Sequence, residues 1–368
     1  MHIAIVGSGQ LARMLALAGW RMGFTFAFLS APGENRGCVE GLGDIVELTL
    51  NLRGEALFNA LGKPDVVTVE KEHVDSHMLR TLQPFCGVYP KPNAIEISQH
   101  RGREKTFLNS IGIPTASFRL SDSKQILQKV INEMGFPVLV KSCEEGYDGH
   151  GQKKVGNAQQ LDELLADELA ERQLVVEAIV NFDKEVSMIA ARTEGGDCVF
   201  YPVTENQHRD GILVSSIAPA KMPTPAMSLE TQECAQKILD ELEYVGVLSI
   251  EFFVTGDKLL VNEIAPRVHN SGHWTQSAGI CSQFENHLRS ITRMALGNTI
   301  PLTYAAMINI LGHKVSNDVL NKGNVELHQY NKSLRPNRKV GHINLWDIDR
   351  PRLVKQMADL SQELLDNQ

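Results

Sequence analysis

The sequence has no apolar run near the roughly 18 residues that a membrane-spanning helix needs. Its first residues, MHIAIVGSGQ, show no basic segment followed by an apolar one, so neither a leader peptide nor a membrane segment is expected. Cysteine is sparse: Cys38, Cys86, Cys143, Cys198, Cys234 and Cys281 lie tens of residues apart with no C-x-x-C pair. That spacing suits reduced thiols in a cytoplasm and argues against a zinc site or a disulfide framework. Basic residues are outnumbered, 36 against 44 acidic, for a formal net charge of −8, so nucleic-acid binding by bulk charge is not expected. There is no internal repeat, no low-complexity tract and no G-x-x-x-x-G-K-[ST], which excludes a Walker P-loop nucleotidase. What is there, 368 residues with 43% apolar and 22% charged, is the composition of two or three globular domains.

Apolar periodicity alternates strand and helix over the first 90 residues. A strand at His2–Val6, a Gly-rich turn, a helix over about Gln10–Met22, a strand at Phe24–Leu29 and a buried strand at Asp65–Val69 predict a parallel sheet with crossover helices. The stretch Tyr89–Pro92, with two prolines, marks a boundary. Helices near Arg101–Ile111 and Ser123–Met134 follow, and a strand at Pro137–Val140 leads into the most Gly-rich loop, Glu144–Gln152. Beyond it come a helix near Ala158–Leu169 and strands at Leu174–Glu177, Glu185–Ala191, Leu248–Val254, Lys258–Ile264 and Ala306–Leu311. Gly turns in this part suggest a largely antiparallel sheet.

Gly7–Ala12 follows a strand and opens a helix, the setting of a dinucleotide fingerprint. The acidic ribose ligand is missing, since Leu29–Ala31 stands where it belongs and Glu34 comes late. A tight strand-to-helix turn is favoured over NAD binding, with a phosphate on the helix N-terminus as a third reading. In the long loop, Gly146, Gly149 and Gly151 would let backbone N–H groups approach an anion, with Lys141 meeting the same phosphates. The alternative is a Gly-rich hairpin without a ligand. Glu251 and Glu263 lie six residues on either side of Asp257. A three-residue loop centred there would oppose the two carboxylates, which is unfavourable unless a cation lies between them. Magnesium suits such a pair, because it takes a few carboxylates plus nucleotide phosphates; two solvated acids on an outer face are the alternative. The next loop crowds Arg267, His269, Asn270 and His273 into seven residues, as functional loops do. Lys332–Lys339 gathers four cations, either as a solvated surface or as a site for a phosphorylated substrate. His73 and His77, four apart without a third ligand, read as structural.

Taken together, Gly9–Met14, Gly146–Gln152, Asn181–Ser187, Phe200–Thr204, Asn262–Gln276 and Arg338–His342 resemble one family: the 5-(carboxyamino)imidazole ribonucleotide synthases, ATP-grasp ligases of purine biosynthesis. The resemblance covers most of the chain, and Asn262–Gln276 is its most specific stretch. It implies a mixed α/β and α+β ATP-grasp architecture. A Rossmann-like parallel-sheet domain would cover 1–95 and an ATP-grasp domain 96–297, with a lid at about 115–178. A small C-terminal region, 298–368, would bind the substrate phosphate. It further implies an ADP-forming C–N ligase, cytoplasmic and homodimeric, that acts on small molecules and on neither nucleic acid nor membrane. ATP, magnesium and bicarbonate would carboxylate the exocyclic amine of 5-aminoimidazole ribonucleotide through carboxyphosphate.

Carried over by position, the resemblance puts Arg101 and Lys141 on nucleotide phosphates under a lid formed by Gly146, Tyr147, Asp148, Gly149, His150, Gly151 and Gln152. Glu177, Ala178, Ile179 and Val180 would read adenine, Glu185 would hold the ribose, and His208 would lie near the nucleotide. Glu251 and Glu263 would bind magnesium beside Asn262, and Arg267, His269 and Asn270 would orient bicarbonate and carboxyphosphate. Tyr147 and Asp148 would face the reacting amine, Lys332, Arg338 and Lys339 the ribonucleotide phosphate, and Glu70 the imidazole. The sequence departs from the family at His150, where the lid usually has arginine, and at Ala12 and Lys71. A formate-dependent transformylase of the same architecture is the alternative activity. A catalytically silent nucleotide-binding protein is disfavoured by the retained Lys141, Glu251, Glu263 and Arg267.

Overall fold

The computed structural model describes residues 1–144 and 151–366. The chain opens with β1 (His2–Val6), α1 (Gln10–Trp20), β2 (Thr25–Ser30), β3 (Asp44–Glu47), α2 (Gly54–Ala60), β4 (Val66–Val69), α3 (Ser76–Leu82) and β5 (Gly87–Val88). These strands form the expected parallel sheet, in the order β3-β2-β1-β4-β5. β1 and β4 are continuous apolar runs because helices cover both faces of a parallel sheet.

Next, α4 (Pro92–Ser98) and α5 (Arg101–Ser110) lead to a four-stranded antiparallel sheet. It comprises β6 (Phe118–Ser121), β7 (Val138–Ser142), β8 (Gln152–Val155) and β9 (Leu174–Ala178), in the order β6-β9-β7-β8. α6 (Lys124–Met134) and α7 (Ala158–Leu165) pack their apolar stripes on it. The Ser123 hydroxyl accepts from the Ile126 N–H and starts α6 where the sequence predicts. α7 stops short of the expected Leu169. The Asp167 side chain takes the Leu169 N–H at 2.8 Å and begins a separate 3₁₀ turn, Glu168–Glu171.

The remaining strands are β10 (Lys184–Arg192), β11 (Cys198–Phe200), β12 (Thr204–Arg209), β13 (Ile212–Ala218), β14 (Gly246–Thr255), β15 (Lys258–Ala265), β16 (Tyr304–Leu311), β17 (Val325–Gln329) and β18 (Lys339–Asp347). They make one nine-stranded antiparallel sheet, β15-β14-β10-β12-β13-β16-β18-β17, with β11 beside β10. It runs unbroken past residue 298, since β13 pairs with β16 from Ser215↔Ile308 to Ala218↔Ala305. α8 (Pro225–Glu241), α9 (Gln283–Ile291) and α10 (Arg350–Asp366) complete the chain. A single buried cluster including Phe26, Trp274, Phe284 and Met307 joins the parallel sheet to this one. No helix among the described residues is long and apolar enough to cross a membrane.

The β14–β15 hairpin differs from its expected form. The loop has two residues, Gly256 and Asp257, because Thr255 already pairs with Lys258. Gly256 takes the left-handed conformation, φ +59°, that such a turn requires of its first residue. Glu251 and Glu263 are nonetheless opposite, because a bulge inserts Asn262 between the pairs Phe252↔Val261 and Glu251↔Glu263. The backbone groups that the bulge and strand edge leave over find partners outside the ladder. Val261 N–H donates to the Pro114 carbonyl at 2.9 Å, Lys105 Nζ to the Asn262 carbonyl at 3.3 Å, and Ile264 N–H to Glu104 Oε1 at 2.5 Å.

Candidate active site

A cavity of about 1100 Å³ opens where the three sheets meet. The β14–β15 bulge presents Glu251, Asn262 and Glu263 to it. Burial, and then the charge of Glu263, push the Glu251 carboxyl above its ordinary range. Glu104, 2% exposed and beside the same pair, is raised to about 8 by burial and then by Glu263. Acids crowded this way favour a cation. Among the described residues, no group of three or more His, Cys, Asp or Glu side chains converges on a metal position. The two opposed carboxylates would suit a magnesium ion, which takes only one or two carboxylates.

On one side, Arg101 and Lys141 reach the cavity from α5 and β7. Arg101 Nη1 donates to the Ser142 carbonyl at 2.8 Å. Lys141 Nζ lies 2.9 Å from Glu177 Oε2, and the buried Lys105 reaches Glu177 Oε1 at 3.1 Å. Burial alone would raise the Glu177 carboxyl, but the two ammonium groups hold it below its ordinary value. Glu177 thus ties the four-stranded sheet to α5 by its side chain, and leaves only backbone for reading a base. Ala178, Ile179 and Val180, half-buried, bridge β9 and β10. The Phe182 ring stacks on Phe253 with centroids 4.7 Å apart on the cavity wall, a flat apolar surface that sequence reasoning missed. Glu185 Oε2 and His208 Nδ1 lie 2.7 Å apart across β10 and β12. Burial would lower the His208 pKa, but the hydrogen bond to Glu185 raises it overall. Gln152 lines the cavity, and Gly151 bends back with φ +71°. Gly146, Tyr147, Asp148, Gly149 and His150 lie outside the described residues.

The loop after β15 carries Arg267, His269 and Asn270 into the cavity. Arg267 is gripped by Glu72 through Nε and Nη2 at 2.6 and 3.1 Å. Burial would raise the Glu72 pKa, yet the guanidinium holds it at about 2. Burial, and then the charge of Arg267, drive the His269 pKa well below its ordinary value. Asn270 forms a reciprocal amide pair with the buried Asn309 of β16, at 3.1 and 2.6 Å. Gln283 clamps the loop from α9, accepting the His269 N–H at 2.9 Å and donating to its carbonyl at 2.6 Å.

Lys332, Arg338 and Lys339 bring cations to the far wall, with Arg335 beside them. Lys332 donates to Gln10 Oε1, so the first turn of α1 and the C-terminal loop close on the same space. Burial lowers the Lys332 pKa. Arg338 Nη1 is steadied by the Ser333 hydroxyl at 2.7 Å. The first turn is the tight strand-to-helix turn that the sequence favours, running from Val6 to Gln10. Glu70 itself sits on the α1 N-terminus, accepting from the Gly9 and Ala12 N–H groups at 2.5 and 2.9 Å. A Cβ at Gly9 would meet Glu70 Oε1 at 2.7 Å, so glycine there leaves that carboxylate its place. The glycines of this turn thus make room for the chain's own carboxylate, which points at the backbone.

Family models match in chain order: a ribonucleotide synthetase pre-ATP-grasp domain over 1–99, an ATP-grasp domain over 106–284, and a phosphoribosylaminoimidazole carboxylase C-terminal domain over 305–356. The N5-carboxyaminoimidazole ribonucleotide synthase of Pseudomonas aeruginosa is 37% identical over 361 residues, covering 98% of both chains. The chain belongs to the N5-carboxyaminoimidazole ribonucleotide synthase family. Its fold and enzyme class follow: an ATP-grasp, ATP-dependent ligase. The Brucella melitensis synthase is 39% identical, covering 93% of this chain and 95% of its own. The solved Thermus thermophilus synthetase superimposes with a TM-score of 0.90 at 40% identity, covering 98% of each chain. The Aspergillus clavatus synthase, solved with ADP and 5-aminoimidazole ribonucleotide, does so with a TM-score of 0.86 at 27% identity, covering 100% of this chain and 99% of its own.

Proposed function

We propose that this chain carboxylates the exocyclic amine of 5-aminoimidazole ribonucleotide with bicarbonate, driven by ATP, in purine biosynthesis. The observation that carries this reading is the meeting, in one cavity, of the opposed Glu251–Glu263 pair, the Arg267–His269–Asn270 loop and the Lys332–Lys339 cations. The reaction must bring two anions together and keep carboxyphosphate from water until the amine captures its carbon dioxide. Arg101 and Lys141 counter nucleotide phosphate charge, with the base resting near Phe182–Phe253 and the backbone of 178–180. Glu185 and His208 face the ribose. Magnesium, held by Glu251 and Glu263 beside Asn262, would draw charge from the phosphate oxygens. Arg267, kept rigid by Glu72, His269 and Asn270 aim donors at the oxygens where charge develops. Lys332, Arg338 and Lys339 hold the ribonucleotide phosphate. Tyr147 and Asp148 of the 146–152 segment remain our proposed contacts to the amine, on sequence grounds. We take the working form as a cytoplasmic homodimer, which sedimentation checks.

ATP turnover, assayed with bicarbonate and 5-aminoimidazole ribonucleotide omitted in turn, tests the reading. ADP and phosphate release should need both for full rate. Formate replacing bicarbonate would point to a transformylase instead.

A further inference from the structure

A buried hydrogen-bond chain runs from the middle of the nine-stranded sheet to His269. Asn206 of β12 is its anchor: Oδ1 accepts from the Ser216 hydroxyl at 2.8 Å, which leaves Nδ2 to donate to Ser187 Oγ at 3.0 Å. Ser187, accepting that bond, directs its own proton to Ser271 Oγ at 2.8 Å. Ser271 in turn faces His269 Nδ1 at 2.9 Å, and its backbone N–H approaches the same nitrogen at 3.3 Å. Asn206, Ser187, Ser216 and Ser271 are all buried. Every donor in the series points the same way, so Nδ1 receives hydrogen bonds and carries no hydrogen itself. A neutral imidazole has one N–H, and here it falls on Nε2. That nitrogen lies 3.6 Å from Glu251 Oε1 on the cavity wall.

We propose that Asn206, Ser187 and Ser271 are positioning residues that set the tautomer of His269, so that it turns a neutral N–H donor toward the anions of the cavity. The opposite tautomer would aim a bare lone pair at Glu251 and at any bicarbonate or phosphate oxygen, which repels. The catalytic meaning of this device rests on the function proposed above; the tautomer does not.

Asn206→Asp tests it from two residues away. Aspartate has no N–H to offer and accepts from both Ser187 and Ser216. The hydroxyls then turn round, and Ser271 Oγ presents a lone pair that Nδ1–H satisfies better than the longer backbone contact. Losing one preorganised donor should lower kcat about 100-fold, while KM for ATP changes little. Ser187→Ala interrupts the chain without reversing it, so its loss in kcat should be much smaller than that of Asn206→Asp. ¹⁵N NMR of histidine-labelled protein, with the His269 ring assigned by a His269→Asn difference spectrum, should show Nε2–H in the wild type and Nδ1–H in Asn206→Asp. A wild-type ring protonated on Nδ1 overturns the proposal, whether or not the variant folds. So do equal losses in Asn206→Asp and Ser187→Ala, or a tautomer change without a loss in kcat. A wild-type protein lacking bicarbonate- and ribonucleotide-dependent turnover would sink the function, while the ring signals still report the tautomer.

Discussion

Arg267 and Glu72 hold each other in a place where either alone is a liability, so removing Arg267 has two separable effects. Arg267→Ala should stop carboxylation while sparing nucleotide binding, because an arginine at a developing oxyanion acts mainly in the transition state. It should also destabilise the fold by about 3 kcal/mol, since Glu72 is left a poorly solvated, unpaired carboxylate. The Glu72→Ala/Arg267→Ala double variant should regain most of that stability and none of the turnover. ATP titration, steady-state kinetics and urea unfolding of both variants distinguish these effects. Glu263→Gln should lose magnesium-dependent ATP turnover. It also relieves the opposed charges, so its melting temperature without metal should hold or rise; near-normal turnover would remove the metal assignment. That acid pair was expected from its symmetric spacing about Asp257, but the turn is two residues long and the Asn262 bulge is what restores the opposition. Glu104 and Lys105 were not, because their partners are backbone atoms freed by the Asn262 bulge. A one-residue bulge leaves no periodicity signal. The hold of Glu70 on the α1 N-terminus was hidden for a similar reason: its partners are N–H groups of a turn about 60 residues earlier in the chain, while it also lines the cavity.

At the scale of elements, α9 shows how buried polar residues hide a helix from sequence reading. Gln283, Asn286, His287 and Ser290 are all buried, so the expected apolar stripe is interrupted by side chains that bind other elements. His287 is the clearest. Its Nδ1 accepts the Val247 N–H of β14 at 3.0 Å, which leaves Nε2–H to donate to Thr68 of β4 at 2.8 Å. One ring therefore pins the parallel sheet to the nine-stranded one, and burial depresses its pKa to about 4. The unfolded chain takes up this proton near pH 6.5 and the folded chain does not, so acidification below 6.5 favours unfolding. His287→Asn keeps an acceptor for Val247 and removes the titration. The variant should start less stable at pH 7.5. Between pH 6.5 and 5.5, wild type should then lose about 1 kcal/mol more than the variant does. Urea unfolding at the two pH values measures the difference; parallel losses would mean that His287 is not the titrating group. Strands fared better. The short, almost fully buried runs of β1, β2 and β4 and the capped start of α6 were readable because each is a local pattern. α7 was overextended because Asp167, a cap, resembles any polar surface residue until its hydrogen bond is seen.

For the molecule as a whole, the class of fold was legible, but the sharing of one sheet across residue 298 was not. Strand order is a long-range property, and β13 precedes β16 by some 90 residues. Stopping the chain after residue 300 should expose the β13 edge and strip Ala305 and Met307 from the central cluster. An uncovered edge pairs with other chains, so the fragment should be recovered as aggregate; a soluble, cooperatively melting fragment in size-exclusion chromatography would show that the final segment is dispensable. The seam also governs recombination between relatives. The Lys332–Lys339 loop, whose cations we propose for the ribonucleotide phosphate, looks like a cassette that could be exchanged to alter substrate preference. It joins β17 to β18, β18 pairs along its length with β16, and β16 is registered residue by residue against β13. A crossover at 300 would join strands selected in different backgrounds along their whole hydrogen-bonded length. A crossover that carries β13 to β18 as one inheritance keeps the seam intact, and moves its mismatches to the β12–β13 hairpin and the β10–β14 pairing.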